Sequence, residues 1–340
     1  MSRVKTTHKP LVNYVFLLLG LLLVAPAQAE VYQCKGDDGI TRFQDRPCFG
    51  LEPTVAESKP TSNAQQTATG PGKHFFWQAN AGKGTLYLLG SIHFGTPEMY
   101  PLPRVITNSF KQVDTLVVEA DVLNIDPMQM AQLVAGKAMY QDGSSLRQHL
   151  SQQTWQRLEN VATTLGMPVE MLSLQKPWFA SMTLTALALN KLGFSEDKGI
   201  DVHFLSLARG KKQVIELEGM QWQLSLFDRL TNEEQILMLE ETLREIEHGK
   251  DFFDKMLKYW RAGDGEGIQG LFDEGMMAAE GGERLNKLIM TDRNRSMTDK
   301  LHALAQKGGS YFVVVGAGHL PGREGIVSLL KQRGYQITQL

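Results

Sequence analysis

Short apolar runs alternate with amphipathic stretches from about residue 74 to the C-terminus. Runs rich in Val, Ile, Leu and Tyr predict five β-strands, at 85–91, 115–120, 213–218, 311–317 and 335–340. In most of them the apolar residues are continuous rather than alternating, which is typical of strands covered on both faces. This pattern favours a mostly parallel sheet.

Helical periodicity fills the intervals between these runs. RVITNSFKQV, PWFASMTLTALALNKL and GIDVHFLSLARG each predict one helix, and the block from Leu224 to about Lys307 is helical throughout by pattern. Long helical insertions within a βα alternation indicate one α/β domain. We therefore predict that residues 74–340 form a central, mostly parallel sheet with flanking helices and a helical lobe.

The N-terminus has the pattern of a targeting segment. Basic residues at Arg3, Lys5 and Lys9 precede the apolar run VNYVFLLLGLLLVAP, and Ala27-Gln28-Ala29 follows as a small-x-small cleavage site. The run is shorter than the roughly 20 residues that a membrane span needs, which disfavours an uncleaved anchor. We predict a signal peptide over 1–29, a periplasmic or secreted protein, and no membrane span after cleavage.

Residues 30–50 and 51–73 differ in composition from the rest. The first segment places β-prone runs on both sides of Asp37-Asp38-Gly39 and contains both cysteines, Cys34 and Cys48, which predicts a β-hairpin tied by a disulfide. A two-thiol metal site is the weaker alternative. Such a disulfide would contribute about 3 kcal/mol. The second segment is rich in Thr, Ser, Gln, Pro and Gly and predicts a flexible linker.

The charge balance disfavours one class of function. Removal of residues 1–29 takes away three basic residues and no acidic one, so 32 basic residues stand against 37 acidic ones and the net charge is −5. Proteins that bind nucleic acid normally carry a basic surface. No nucleic-acid partner is expected.

Candidate chemistry lies at the ends of the predicted strands. LYLLGSIH and FVVVGAGH each end an apolar run with Gly-x-x-His, at His93 and His319, while the other runs end in acidic residues. Ligands of open α/β sheets bind beyond the carboxyl ends of the strands, so these groups are expected to meet. Among the acidic residues, Glu119 directly follows its strand, Asp121 could instead begin a turn, and either Glu216 or Glu218 could reach the crevice.

Imidazole and carboxylate groups serve two chemistries. They can bind a divalent metal that activates water, or a His–Glu pair can act as general acid and base without a metal. The spacing does not decide between them. Three other residues have ordinary explanations: Asp201 as a helix N-cap, His203 as a packed or exposed helix residue, and Ser91 as a serine outside any nucleophile elbow.

Motifs over nearly all of 74–340 resemble the TraB/GumN (Tiki-like) family, which is related to erythromycin esterase and the ChaN haem-binding lipoproteins. The matching stretches are GTLYLLGSIHFG, VVEAD, KGIDVHF, GKKQVIELEGMQWQ, DRNRSM and VVVGAGHLPGREG. Residues 30–50 resemble the DUF4124 module, through Tyr32, Gly39, Phe43, Asp45, Pro47 and the two cysteines. The resemblance implies a fold of the erythromycin esterase/ChaN type.

The resemblance also assigns candidate residues. The paired Gly-x-x-His motifs fall on His93 and His319, the acidic strand end falls on Glu119, and Arg293 becomes a candidate for holding an anionic or carbonyl group. Tiki-like members are regarded as metal-dependent peptidases. The esterase relatives use His and Glu without a metal, and the haem-binding relatives carry a ligand.

The leading hypothesis is an exported, metal-dependent hydrolase of the peptidase type. His93, Glu119 and His319 would bind a divalent ion, of the manganese or cobalt kind. Asp121 or Glu218 would act as general base or further ligand, and Arg293 would polarise a peptide or small-molecule substrate. The alternatives are a metal-free His/Glu esterase, a non-catalytic protein that binds haem or a glycan, and a degenerate member kept for interaction. Residues 30–50 could contact an envelope partner.

Overall fold

The computed structural model describes residues 32–35, 41–44, 73–248, 251–276 and 282–340. They belong to two units, the small one around 32–44 and the large one from 73 onward, and each is described by itself. The predicted signal peptide (1–29) and nearly all of the predicted linker (51–73) lie outside the described residues. Both assignments therefore stay predictions.

The small unit contains a pair of short strands. Strand β1 (Tyr32–Lys35) pairs antiparallel with β2 (Thr41–Gln44), and Cys34 lies opposite Arg42. The pairing agrees with the predicted hairpin. Cys48 lies outside the described residues, so the disulfide stays a prediction.

The large unit is built on a six-stranded sheet. Its strands are β3 (Phe76–Ala81), β4 (Gly84–Ser91), β5 (Thr115–Val118), β6 (Gln213–Glu216), β7 (Gly309–Gly316) and β8 (Gln336–Gln339). The order across the sheet is β6-β5-β7-β4-β3-β8, and β6, β5, β7 and β4 are parallel neighbours. Strand β3 runs antiparallel to both β4 and β8. The predicted mostly parallel α/β sheet is confirmed.

Strand β3 was absent from the sequence prediction. Its sequence, FWQANA, mixes aromatic with polar residues, so it lacks the continuous apolar run that marks the other strands. It forms because a two-residue turn at Gly82 and Lys83 folds it back on β4. Gly82 has a φ of +52°, which glycine adopts readily.

Helices cover the sheet and form the helical lobe. They are α1 (Arg104–Lys111), α2 (Pro127–Ala138), α3 (Leu146–His149), α4 (Gln152–Leu165), α5 (Pro177–Lys191), α6 (Ile200–Ala208), α7 (Met220–Phe227), α8 (Asn232–His248), α9 (Asp251–Ala262), α10 (Gly265–Met276), α11 (Gly282–Asn286), α12 (Asp292–Gln306) and α13 (Ile326–Gln332). Between β6 and β7 the described residues are helical, as predicted. No helix among the described residues has both the length and the apolar character to cross a membrane.

The lobe has an apolar core of its own. Helices α4, α5 and α8 pack Leu158, Leu184 and Leu239 into one buried cluster. Helix α5 begins at Pro177, where the missing backbone N–H would have had no partner in the helix. Burial of one leucine side chain contributes about 1.5–3 kcal/mol, so this cluster holds the lobe independently of the site.

Two strands end earlier than the sequence predicted. Strand β5 ends at Val118 rather than residue 120, and β6 ends at Glu216 rather than residue 218. The two segments that follow these strands stay hydrogen-bonded to each other. The backbone N–H groups of Leu217 and Glu218 donate to the carbonyls of Val118 and Glu119. The early ends free the side chains of Glu119 and Glu218 to turn toward the sheet edge.

Candidate active site

The candidate site lies at the carboxyl edge of the three central strands. His93 follows β4 by two residues, Glu119 directly follows β5, and His319 follows β7 by three residues. Because β5, β7 and β4 are adjacent and parallel, all three residues leave the sheet at the same edge. The topology therefore brings together segments that are far apart in the chain.

Gly316 is the point around which these side chains gather. A Cβ atom placed on Gly316 would lie 3.4 Å from Glu119 Oε1, 3.4 Å from His319 Cδ2 and 3.6 Å from His93 Nε2. The two imidazoles and the carboxylate thus surround one small space. Glycine keeps that space open.

His93 is oriented by Asp201 from α6. The His93 Nδ1–H donates to Asp201 Oδ1 over 3.1 Å, and the Ser91 hydroxyl donates to the same oxygen over 2.6 Å. The backbone N–H of Asp201 donates in turn to Ser91 Oγ over 3.2 Å. A carboxylate only accepts hydrogen bonds, so the proton of neutral His93 lies on Nδ1 and its Nε2 carries the lone pair.

Two glycines let the loops around His93 and Asp201 touch. A Cβ on Gly95 would lie 2.0 Å from the carbonyl oxygen of Lys198, and one on Gly199 would lie 2.2 Å from the carbonyl oxygen of His93. Any larger residue would separate the loops. This close approach sets the distance between His93 and Asp201.

Glu119 accepts hydrogen bonds at both oxygens. Oε1 receives the backbone N–H of Gly316 over 2.6 Å. Oε2 receives Arg293 Nη2 over 2.5 Å and Gln223 Nε2 over 3.0 Å. The carboxylate is therefore held in one orientation, with Oε1 toward Gly316.

Arg293 joins Glu119 to a second buried carboxylate, Glu218. Its Nε and Nη2 donate to Glu218 at 2.7–3.2 Å, and Gln223 Nε2 donates to Glu218 over 2.8 Å. The side chains of Arg293 and Glu218 are each 1% exposed. One guanidinium thus faces two carboxylates, and the cluster carries a net charge of −1.

Arg293 and Asn294 are presented by the first turn of α12. A π-helical turn, Lys287–Thr291, directly precedes it, and such turns are frequent at functional sites. Arg293 points toward the carboxylates, while Asn294 Oδ1 lies 2.6 Å from His319 Nδ1. The two neighbouring residues therefore serve two different partners in the site.

His319 is fully buried, and among the described residues its Nε2 has no hydrogen-bond partner. Glu119 Oε1 is 3.8 Å from this nitrogen. Burial lowers the pKa of His319 well below its ordinary value, and the nearby Arg293 lowers it further. His319 is consequently neutral near pH 7.

The pKa of His93 shifts in the opposite direction. Burial lowers its pKa, but the charge of Asp201, the hydrogen bond to Asp201 and the charge of Glu119 outweigh burial, so the pKa of His93 is raised overall. Burial and the charge of Asp201 also raise the pKa of Glu196 to about 8. The two imidazoles thus differ in charge behaviour, and His93 is the one suited to take up a proton.

The pocket at Gly316 is small. The space open to the centres of water-sized molecules is about 20 Å³, which suffices for one water molecule. Its lining includes Ser91, His93, Glu119, Asp201, Gln223 and Gly316. The pocket is therefore sized for one water molecule rather than for a whole substrate.

The described residues contain no group of three or more His, Cys, Asp or Glu side chains arranged to hold a metal ion. The donor chemistry nevertheless suits one in part, because both imidazoles present Nε2 and have Nδ1 engaged by an acceptor, a common feature of metal-binding histidines.

Comparison with known proteins identifies the family. The model of the TraB/PrgY/gumN family matches residues 75–339. The chain belongs to the TraB/PrgY/gumN family. The DUF4124 model, described as a domain of unknown function, matches residues 18–73.

The names of the relatives that were found assign them no activity. "Uncharacterized protein YbaP" of Escherichia coli (strain K12) is 30% identical over 265 residues, which cover 76% of this chain and 94% of YbaP. The Shigella flexneri protein of the same name gives the same figures. An "Uncharacterized protein" of Treponema pallidum (strain Nichols) is 21% identical over 77% of this chain and 81% of its own length. No solved structure matches significantly.

The TraB/PrgY/gumN domain brings His93, Glu119 and His319 together around Gly316. Arg293 and Glu218 lie in the same cluster beside Glu119, whereas Asp121 lies elsewhere. Asp121 lines a neighbouring cavity with Glu216, whose Oε1 accepts the backbone N–H of Asp121 over 2.7 Å. Glu218 and Arg293 bind each other beside Glu119, so Arg293 directs its donors to protein acceptors.

Three residues of the site escaped the sequence analysis. Asp201 was interpreted as an N-cap, but Gly199 occupies that position and the Asp201 side chain binds His93 and Ser91. Gln223 and Asn294 were given no role. The available signal was their place in the motifs GMQWQ, DRNRSM and KGIDVHF, beside residues that were assigned roles.

Proposed function

We propose that this protein is a hydrolase of an ester or peptide bond, in which His93 activates a water molecule at Gly316. The observation that carries the proposal is the convergence of His93 Nε2 and Glu119 Oε1 on that space, with His93 Nδ1 bound to Asp201. A histidine held by a carboxylate is the usual general base of hydrolytic sites.

The chain's own residues supply the steps as follows. His93 Nε2 takes a proton from water as the water oxygen attacks the substrate carbonyl carbon. Asp201 stabilises the imidazolium that forms, and His93 then returns the proton to the leaving group. Glu119 Oε1, fixed by Gly316 and Arg293, accepts the second hydrogen of the water and so orients it.

A divalent metal is the second candidate, and one observation favours it. Within the described part of the chain the Nε2 of His319 has no hydrogen-bond partner, and it faces Glu119 Oε1 across 3.8 Å. Two acceptors that face each other need a donor or a cation between them. His93, Glu119 and His319 would hold the ion, of the manganese or cobalt type. The ion would polarise the substrate carbonyl.

One set of measurements tests both candidates. The chain is purified without chelator and assayed for bound metal and for hydrolysis of ester and peptide libraries, alongside His93→Ala and His319→Ala. His302→Ala serves as the control, because His302 contacts Tyr335 away from the site.

The outcomes separate the candidates. Activity without bound metal that is lost in His93→Ala supports the His93 base. Stoichiometric metal that is lost in both site variants supports the metal candidate. Absence of turnover together with binding of haem or a glycan would overturn the hydrolase proposal in favour of a ligand-binding protein.

A further inference from the structure

Asn294 and the backbone carbonyl of Glu324 together determine which nitrogen of His319 carries the proton. Asn294 Nδ2 lies 2.9 Å from the Glu324 carbonyl oxygen, and Asn294 Oδ1 lies 2.6 Å from His319 Nδ1. A carbonyl oxygen can only accept, so the Asn294 atom facing it must be the NH₂ group. The orientation of the amide is thereby fixed.

The orientation of the amide in turn fixes the tautomer of His319. The amide oxygen that faces Nδ1 is an acceptor, so the proton of neutral His319 must lie on Nδ1. Nε2 is then a bare lone pair. This agrees with the burial of Nε2 without a hydrogen-bond partner among the described residues.

Without Asn294, the ring proton of neutral His319 would be more stable on Nε2 than on Nδ1. Glu119 Oε1 is 3.8 Å from His319 Nε2, and a proton on Nε2 would turn this pair into a donor and an acceptor. The relay from Glu324 therefore opposes the tautomer that the Glu119 carboxylate favours. Its effect is to leave two acceptors facing each other, ready to receive a donor or a cation from outside the protein.

We propose that Asn294 is a positioning residue that keeps His319 in the Nδ1–H tautomer, so that Nε2 stays an acceptor in the site. The proposal deepens the proposed function, since it rests on His319 as part of that site. Asn294 acts through His319 and does not itself contact the reacting atoms.

A pair of isosteric variants tests the proposal. Asn294→Asp keeps an acceptor toward His319 Nδ1, whereas Asn294→Leu removes it, and both lose the hydrogen bond to Glu324. The ¹⁵N chemical shifts of the His319 ring distinguish the tautomers because protonated and bare nitrogens resonate far apart. The full chain is used with no substrate added, and backbone amide spectra verify that each variant is folded.

The expected result is an Nδ1–H ring in the wild type and in Asn294→Asp, and an Nε2–H ring in Asn294→Leu. Activity, once a substrate is found, should fall about 10- to 100-fold in Asn294→Leu and less in Asn294→Asp. If Asn294→Leu unfolds, an Nε2–H ring in the wild type or in Asn294→Asp would still overturn the proposal.

An Nε2–H ring in the wild type, or an unchanged ring in folded Asn294→Leu, would overturn the proposal. The ring spectra need no turnover. A protein that hydrolyses nothing but shows the expected tautomers would therefore refute the proposed function while leaving this inference intact.

Discussion

At the scale of single residues, Gly316 is exceptional because the site depends on the absence of its side chain. Its φ of −49° suits any residue, and an added Cβ would lie 3.4 Å from its nearest neighbours, an ordinary contact distance. We expect Gly316→Ala to change the free energy of unfolding by less than about 1 kcal/mol. The methyl group would occupy the space between His93 and Glu119 that the proposed function assigns to a water molecule.

Activity should therefore fall by about 100-fold or more in Gly316→Ala, since small misplacements of reacting groups have effects of that size. Urea unfolding and steady-state kinetics measure the two quantities separately. Gly136→Ala in α2 is the matched control, because a Cβ there meets nothing within 4 Å. Full activity in Gly316→Ala would contradict the assigned position of the water.

Asp201 is expected to control the pH dependence through His93. Burial lowers the pKa of His93, but Asp201 raises it by charge and hydrogen bond, and the net shift is upward. In Asp201→Asn the pKa of His93 should fall, so the base loses its proton at a lower pH and the acid limb of the kcat/KM profile moves to lower pH.

The plateau of that profile should also drop by about 100-fold or more, because the imidazolium loses its carboxylate. Ser91→Ala provides the comparison. It removes a hydrogen bond to Asp201 but keeps the carboxylate, so the acid limb should move little. If the acid limb does not move in Asp201→Asn, a group other than His93 causes that limb.

At the scale of elements, continuous apolar runs predicted β4, β5 and β7, shorter β-prone runs predicted β6 and β8, and the Pro177 start predicted α5. The continuous runs are a strong signal because β4, β5 and β7 are mostly buried, and burial on both faces demands apolar residues. Strand β3 lacks the signal, since Gln78 and Asn80 interrupt it. It forms through local pairing with β4 across a tight turn and through long-range pairing with β8.

The residues of the candidate site likewise differ in whether the sequence predicts them. His93, Glu119 and His319 were predictable because each follows a recognisable strand. Asp201 was not, because its partner His93 is 108 residues away and the contact depends on Gly95 and Gly199 letting two loops approach. The sequence shows these glycines but not what they touch.

Helix α12 offers a test of the buried charge cluster, because it carries Arg293 inside and Arg295 outside. Arg293 is 1% exposed between two carboxylates, while Arg295 is 56% exposed beside Glu324. Arg293→Met would leave Glu119 and Glu218 facing each other without a cation. We expect it to lower the free energy of unfolding by about 3–5 kcal/mol.

Arg295→Met, by contrast, should lower the free energy of unfolding by no more than about 1 kcal/mol. Urea unfolding of both variants at neutral pH measures the difference, and the shared helix and shared substitution make them a matched pair. Equal effects would show that the cluster adds nothing to stability beyond an exposed ion pair.

At the scale of the whole molecule, the large unit has its own sheet and its own apolar core. The two ends of the unit are joined by β3, which pairs with β8 near the C-terminus, and by the backbone N–H of His74, which donates to the Leu340 carbonyl. We therefore expect a fragment from Gly72 to Leu340 to fold alone. Its Tm should lie within about 2–4 °C of the full chain, the shift that 1 kcal/mol produces.

A second fragment that begins at Gly82 makes this prediction specific. It lacks β3 and with it Phe75, Phe76 and Trp77, all buried, and Phe75 packs directly against Gly90 in β4. Loss of even one such aromatic side chain costs about 3–5 kcal/mol, so this fragment should not fold. Thermal unfolding of both fragments distinguishes a boundary before β3 from one after it. If the Gly72 fragment unfolded as readily as the Gly82 fragment, residues before Gly72 would have to contribute to the core, and the division into two units would be wrong.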